Sequence, residues 1–357
     1  MKFKKDEIII LLGAGASKDA GIPTSVDMIQ RIEQLLEEKD WEQFRDLYNY
    51  IKSAIYYADG ISGKFGSAVQ FNIERLINTL NELEKKEEHT IYPFIGNWNI
   101  KLIELAEADF IKISEFKNKI IHELRDNWIL IEDYSQASYY SKLLDFKDQY
   151  TFSLRIFSLN YDLCVEKNCS SRPIERGFEQ RKWDWRSFDG QDEETAIYLY
   201  KLHGSIDWKR NEAGILTYSD EPGKIDTDDL EIIFGTSYKM QYIDPFLFFA
   251  YEFRRYCLES KLIITIGYGF GDEHINGIIG QALNNDKDRK ILAVMYLGDN
   301  VGETEIKEKE IEIQGLLKLN FSNQVVLRNF SAKEFFRNHF DIKKLESLFP
   351  EAEGTPF

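Results

Sequence analysis

The strongest constraint on the fold is a short apolar run that ends in a glycine-rich loop near the start of the chain. Residues 7–12 read EIIILL, and residues 13–17 read GAGAS. An apolar run without alternation is typical of a strand buried on both faces of a parallel sheet. A loop of small residues after such a strand lets the backbone approach a phosphate group. A helix is expected to follow the loop and to run to about residue 38.

Strand and helix patterns alternate in the second half of the chain. Such alternation favours an α/β fold, here a Rossmann-like parallel sheet with helices on both faces. The further strands are predicted at residues 150–159, 196–202, 230–234, 262–266, 290–297 and 324–328, and the helices at residues 245–260, 273–283 and 303–316.

The region between the first two strands has a helical pattern. Apolar residues recur there every three or four positions, most clearly at residues 71–86 and 98–130. We therefore predict a large all-helical insertion at residues 27–147, inside a Rossmann-like domain formed by residues 1–26 and 148–357.

The composition limits the partners and the compartment. Of the 357 residues, 43% are hydrophobic, which excludes a disordered chain. There are 45 Lys and Arg against 61 Asp and Glu, a net charge of −16. Such a charge repels nucleic acid and anionic lipid, so we expect neither as a direct partner, although it is compatible with a local basic groove. The apolar stretches are too short or too charged to cross a membrane, and a soluble cytoplasmic protein is expected.

The three cysteines are Cys164, Cys169 and Cys257, an odd set without a CxxC pair. This pattern fits a reduced compartment and excludes a cysteine-rich zinc module. We therefore expect no metal.

Three further motifs come directly after predicted strands. They are SLNYD at residues 158–162, LHGS at residues 202–205 and IGYGFGD at residues 266–272. Open α/β sheets bind ligands in the crevice beyond the carboxyl ends of their strands, so we expect the polar side chains of these motifs there. His203, which ends a strand and precedes a glycine, is placed to act as a base.

Each motif also has a purely structural interpretation. Residues 13–17 could form a tight turn without a ligand, and His203 could be a packed structural histidine. Asn160 or Asp162 could cap the next helix, as could Asp272 for the helix after it. The dehydrogenase fingerprint GxGxxG is broken by a lysine, so hydride transfer is not expected.

In this order, the four motifs resemble the sirtuin-like family of NAD-consuming proteins. The resemblance includes Gly-Ile-Pro at residues 21–23 and covers residues 5–25 and 150–300. The family's protein deacylases carry a four-cysteine zinc module, and they have Asp-Phe-Arg where this chain has Thr-Ser-Val at residues 24–26. These departures, with the helical insertion, resemble the bacterial antiphage-defence branch, whose members hydrolyse NAD⁺.

The resemblance implies a role for each motif residue. His203 would be the general base, Asn160 would orient water or the ribose, and Asp162 would hold the carboxamide of nicotinamide. Further contacts to NAD⁺ would come from Gly13, Ala14, Gly15 and Ser17 at the diphosphate, from Ser158, and from Gly267, Tyr268 and Gly269 on the adenosine side.

The function predicted on this basis is the hydrolysis of NAD⁺ to nicotinamide and ADP-ribose by an antiviral effector that depletes NAD⁺. A homo-oligomer is expected, controlled by a protein partner such as a HerA-like ATPase. Two alternatives stay open. One is a module that senses NAD⁺ or ADP-ribose without turnover, and the other is a zinc-free protein deacylase.

Overall fold

The computed structural model describes residues 3–63, 71–85, 99–107, 110–189, 194–233 and 243–349. Within these ranges the strands are β1 Ile8–Leu12, β2 Leu154–Ser158, β3 Ile174–Glu175, β4 Phe178–Glu179, β5 Lys182–Trp183, β6 Ile197–Lys201, β7 Gly204–Arg210, β8 Leu216–Tyr218, β9 Leu230–Ile232, β10 Leu262–Ile266, β11 Lys290–Met295 and β12 Val325–Asn329.

The helices of the same ranges are of three kinds. The α-helices are α1 Ser25–Leu35, α2 Arg45–Ile61, α3 Ile73–Glu84, α4 Ile100–Ala106, α5 Ile111–Glu123, α6 Lys142–Tyr150, α7 Cys164–Asn168, α8 Phe246–Glu259, α9 Glu273–Asn285, α10 Glu303–Leu316, α11 Ala332–Glu334 and α12 Ile342–Glu346. The 3₁₀ helices are Ala14–Ala20, Glu42–Phe44, Tyr134–Ser141, Trp185–Phe188, Pro222–Lys224 and Thr227–Asp229, and the π-helical turns are Leu124–Ile129 and Phe335–His339.

A parallel sheet organises the described residues. Its strand order is β12-β11-β10-β1-β2-β6-β3, and every neighbouring pair is parallel. Without the two-residue edge strand β3, this is the strand order of the Rossmann fold, in which the order reverses beside the first strand. The predicted Rossmann-like parallel sheet is therefore confirmed.

Helices cover both faces of this sheet, as the continuous apolar pattern of β1 predicts. Ile8, Ile10 and Leu12 of β1 pack in one cluster with the Tyr134–Ser141 turn, α6 and the C-terminal helices α11 and α12. Ile9 and Leu11 pack in a second cluster on the other face, with α8, α9 and α10.

Much of the remaining helical region has its own core. Side chains from Met28 to Ile129 form a third cluster, which meets the rest of the chain through Tyr161, Leu163 and Ile206. Residues from Ala137 onward pack against the sheet instead, and α6 runs across the predicted boundary after residue 147. The division of the chain into two domains stays a prediction.

Two predicted helices are interrupted by left-handed backbone. The helix expected after residues 13–17 is a 3₁₀ turn that ends at Gly21, whose φ is 91°, and α1 starts anew behind the Thr24 capping box. The helix expected at residues 98–130 is broken where Glu107 and Phe110 have φ near 60°. Residues 98, 108 and 109 of this prediction, and residue 86 of the helix predicted at residues 71–86, lie outside the described residues.

A second, antiparallel sheet was not predicted. Its order is β4-β5-β8-β7-β9, and β7 begins directly after His203. The strand predicted at residues 230–234 lies in this sheet, as β9, and not in the parallel sheet; residue 234 is outside the described ranges. None of the described helices combines the length and the apolar character needed to span a membrane.

Candidate active site

Strand register brings the four sequence motifs to one level at the carboxyl edge of the sheet. Leu12 is aligned with Ile266 on one side and with Ser158 on the other, and Ser158 is aligned with Lys201. The motifs therefore continue from the ends of four adjacent strands, β10, β1, β2 and β6. This is the edge where parallel α/β sheets form their binding crevice.

The two glycine-rich turns at this edge are packed directly against each other. The amide of Gly13 donates to Ile266 O, and that of Gly15 donates to Gly267 O, both over 2.9 Å. A Cβ on Gly13 would lie 2.6 Å from Gly267 O, and one on Gly15 would lie 2.9 Å from Gly267 Cα. Glycine is thus required at these positions by the close approach of two backbones.

This packing changes the interpretation of residues 13–17. The amides of Gly13 and Gly15, and that of Ala16, which donates to Gly13 O over 2.8 Å, already have partners inside the protein. In this conformation they are not available to a diphosphate, which differs from the expectation that the loop amides face an anion. Ala14, the remaining small residue of the loop, is half-buried.

Ser17 joins the first motif to the second. Its hydroxyl donates to Asp162 Oδ2 over 2.7 Å and accepts from Asn160 Nδ2 over 3.2 Å. The Tyr140 hydroxyl lies 2.9 Å from Ser17 Oγ and acts as the donor, because the single proton of Ser17 is directed at Asp162. Burial raises the pKa of Tyr140 well above its usual value, so its hydroxyl stays protonated.

The side chains of the SLNYD motif make local and longer-range hydrogen bonds. Asn160 Nδ2 donates to Gly13 O over 3.0 Å, and the backbone amide of Asn160 donates to Ser158 Oγ over 3.1 Å. Asp162 Oδ1 accepts from the amide of Cys164 over 2.9 Å, at the start of α7. Asp162 thus forms an Asx turn just before α7, whose N-cap residue is Leu163, and its Oδ2 is left for Ser17.

His203 lies in the interior, with 3% of its surface exposed. Its Nε2 is 3.4 Å from Oδ2 of Asp272, the last residue of the second glycine-rich turn. Neither ring nitrogen of His203 has a hydrogen-bond partner among the described residues. From the sequence, Asp272 is predicted only as a possible cap, although its place after a strand end is the same signal that singled out His203.

Hydrogen bonds of the Tyr268 side chain stabilise the second glycine-rich turn. The Tyr268 hydroxyl lies 2.8 Å from Asn276 Oδ1 and 3.1 Å from Asp272 O, so it serves the turn itself. Gly269 differs from Gly13, Gly15 and Gly267, because it is exposed and a Cβ there would meet no atom within 4 Å.

A chain of buried charges lies behind the site and was not predicted. Lys201 donates to Asp162 O, and its ammonium group lies 3.4 Å from Glu166 Oε1. Arg176 is next, with its Nε 3.6 Å from Glu166 Oε1 and a terminal nitrogen 2.8 Å from Asp207 Oδ2. The signs alternate along this chain, so each charge lies beside an opposite one. Lys201 and Asp207 are buried, and Glu166 and Arg176 are partly buried.

The crevice is closed in this conformation. Asn160, Asp162 and His203 are each less than one tenth exposed. Two surface cavities of about 640 and 480 Å³ lie elsewhere, one beside Lys119 and the other beside Gly280. Within the described ranges, no group of three His, Cys, Asp or Glu side chains could hold a metal ion.

Comparison with known families gives a match to part of the chain. Residues 154–316 match the family model of the SIR2-like domain. The SIR2-like match contains three of the four motifs, and the glycine loop at residues 13–17 precedes it. A search of curated proteins found no match.

The solved structures that match this chain include several SIR2 proteins. A Sir2 homologue in complex with NAD is 12% identical, with a TM-score of 0.43, and the alignment covers 96% of this chain and 90% of that one. A Sir2 complex with a p53 peptide and NAD⁺ is 11% identical, with a TM-score of 0.40 and coverage of 92% and 90%.

Proposed function

We propose that this protein hydrolyses NAD⁺ to nicotinamide and ADP-ribose. The observation that carries the proposal is the alignment of β2 and β6, because Asn160 and His203 follow the ends of these neighbouring strands. Asn160 contacts the first glycine-rich turn, and His203 faces Asp272 of the second. The SIR2-like match over residues 154–316 supports the assignment, because it contains both side chains.

The reaction needs little acid catalysis from the protein. The bond between C1′ of the ribose and the nicotinamide nitrogen breaks, and its electron pair leaves with nicotinamide, which becomes neutral. Water forms the new bond to C1′ and gives up a proton. The site must therefore stabilise an oxocarbenium-like ribose and take that proton from water.

The residues of the crevice divide these tasks. His203 takes the proton from water, Asn160 orients the water or the ribose, and Asp162 holds the carboxamide of nicotinamide. Because both carboxylate oxygens of Asp162 are engaged by Ser17 and Cys164, NAD⁺ binding requires the closed crevice to open and these contacts to rearrange. The small residues at positions 13–17 provide space for the diphosphate, with Ser158, Gly267, Tyr268 and Gly269 completing the site.

The biological role we propose is depletion of NAD⁺ in an infected cell. The resemblance to the defence branch of the sirtuin-like family supports this role. A continuously active hydrolase would harm its own cell, so we propose a homo-oligomer held in check by a protein partner, of which a HerA-like ATPase is an example. The net charge of −16 favours a signal relayed by such a partner over direct contact with nucleic acid.

The deciding experiment measures nicotinamide release from NAD⁺ by the purified protein, with and without an acylated peptide. Release without peptide is expected, and His203→Ala and Asn160→Ala should each lower it, by about 10²–10⁴-fold for the proposed base. His274→Ala is the matched control, because His274 is exposed and follows the second glycine-rich turn, whose last residue faces His203. NAD⁺ binding without release would favour a sensing module, and release only with peptide would favour a deacylase.

A further inference from the structure

The second glycine-rich turn ends in a carboxylate that faces the buried histidine. Asp272 is 5% exposed and His203 is 3% exposed. Asp272 Oδ2 lies 3.4 Å from His203 Nε2, an ion-pair distance that falls short of hydrogen-bond geometry. From this we infer that Asp272 is the positioning residue for His203, which it orients through Nε2 so that Nδ1 is the atom that accepts a proton.

The chemistry of an imidazole makes this assignment specific. In neutral histidine one ring nitrogen carries a proton and the other accepts one, and a carboxylate close to one nitrogen favours the form in which that nitrogen carries the proton. A carboxylate can only accept, so Asp272 favours the form of His203 with the proton on Nε2. The lone pair is then on Nδ1.

The turn holds the Asp272 carboxylate in place. Asp272 Oδ1 accepts from the amides of His274 and Ile275, over 3.0 and 3.3 Å, and so caps α9. Asn276 Nδ2 donates to Phe270 O over 2.8 Å, and Phe270 itself has a φ of 56°. A bulky residue in left-handed backbone persists only where its surroundings fix it, so the carboxylate is carried on a rigid support.

This role deepens the proposed hydrolysis and rests on it for its catalytic part. Water gives its proton to Nδ1 of His203 while its oxygen bonds to C1′ and the bond from C1′ to nicotinamide breaks. The ring then carries a positive charge, which the Asp272 carboxylate stabilises. Contacts of this kind are often long before substrate binds and shorten in the complex.

The kinetic test replaces Asp272 by asparagine, which caps a helix as well as aspartate does but carries no charge. We expect Asp272→Asn to lower kcat for nicotinamide release by about 10- to 100-fold, with KM within about twofold and the melting temperature nearly unchanged. Asp341→Asn is the matched control, because Asp341 also caps a helix through two backbone amides, those of Lys343 and Lys344. An unchanged kcat in Asp272→Asn would overturn the assignment.

A second measurement needs no turnover and separates this inference from the proposed function. In protein labelled with ¹⁵N-histidine, the ring signals of His203 are identified by their loss in His203→Gln. We expect neutral His203 to be protonated at Nε2 in the native chain and to lose that preference in Asp272→Asn. A proton on Nδ1 in the native chain would refute the positioning role, even if NAD⁺ is hydrolysed. The expected tautomer without any nicotinamide release would instead refute the proposed reaction alone.

Discussion

The amide of Gly15 donates a hydrogen bond to the carbonyl oxygen of Gly267 over 2.9 Å, so the first and second glycine-rich turns are held face to face. Gly267 has a φ of 64°, a backbone conformation that other residues adopt at a cost. The contact joins the ends of two neighbouring strands, β1 and β10. This contact explains why glycine is needed at positions 15 and 267, whether or not a ligand binds there.

Gly15→Ala should therefore destabilise the fold. The added Cβ would lie 2.9 Å from Gly267 Cα, and backbone cannot move aside as a flexible side chain can. We expect a loss of about 1–3 kcal/mol in the free energy of unfolding, measured by urea denaturation. Gly269→Ala is the control, because a Cβ there meets nothing within 4 Å. Equal stability of the two variants would show that the turns are not packed as described.

Ser17→Ala should cost more stability than Tyr140→Phe. The first removes the donor to Asp162 and the acceptor for Asn160, and we expect it to cost about 1–3 kcal/mol because buried polar groups lose their partners. The second removes one donor and should cost about 1 kcal/mol. In a double-mutant cycle the two losses should not add, since both act on the same hydroxyl. Strict additivity would argue against the shared hydrogen bond.

Removing one charge from the buried charge chain should lower the stability of the fold strongly, even when the new side chain has nearly the same shape. Lys201→Met removes the cation that lies between Asp162 O and Glu166, and it leaves the Glu166 carboxylate with Arg176 alone. We expect a loss of about 3–5 kcal/mol by denaturant unfolding. Lys307→Met removes the exposed partner of an ion pair with Glu310 on α10, and it should cost no more than about 1 kcal/mol. A similar small loss for Lys201→Met would mean that the buried chain contributes little.

The cysteines should be inert in the folded protein. Burial raises the pKa of Cys164, Cys169 and Cys257, for Cys169 to about 12, and a nearby Asp162 adds to the effect at Cys164. A raised thiol pKa lowers the thiolate fraction, and the thiolate is the reactive form. With a thiol-reactive disulfide at pH 8, we expect no rapid reaction of the native protein and three thiols after denaturation. A thiol that reacts rapidly before unfolding would contradict the closed packing around it.

The parallel sheet could be predicted because its strands are continuous apolar runs, and α10 was predicted to the residue at Glu303–Leu316. The antiparallel sheet could not, since β4 and β5 have two residues each and carry no periodicity. The break at Gly21 was also missed, because glycine is tolerated in several backbone conformations and its tertiary surroundings select among them.

For the proposed site, the pattern identified the strand ends but not the more distant side chains that contact the motifs. Strand register sets Asn160 and His203 just beyond the ends of neighbouring strands, while their roles stay predictions. Tyr140 reaches Ser17 from 123 residues away, and Lys201 reads as an ordinary strand residue. Contacts of this kind depend on tertiary packing, so the local sequence pattern does not predict them.

The alignment of β10, β1, β2 and β6 also sets the order of events during synthesis. A nascent chain leaves the ribosome with residues 13–17 first, then the motifs at the ends of β2 and β6, and only much later residues 266–272. Until β10 has emerged, Gly13 and Gly15 lack the backbone they pack against, and His203 lacks the carboxylate that faces it. Parallel pairings so distant in sequence form late, so the proposed activity cannot arise on a chain whose translation stops early.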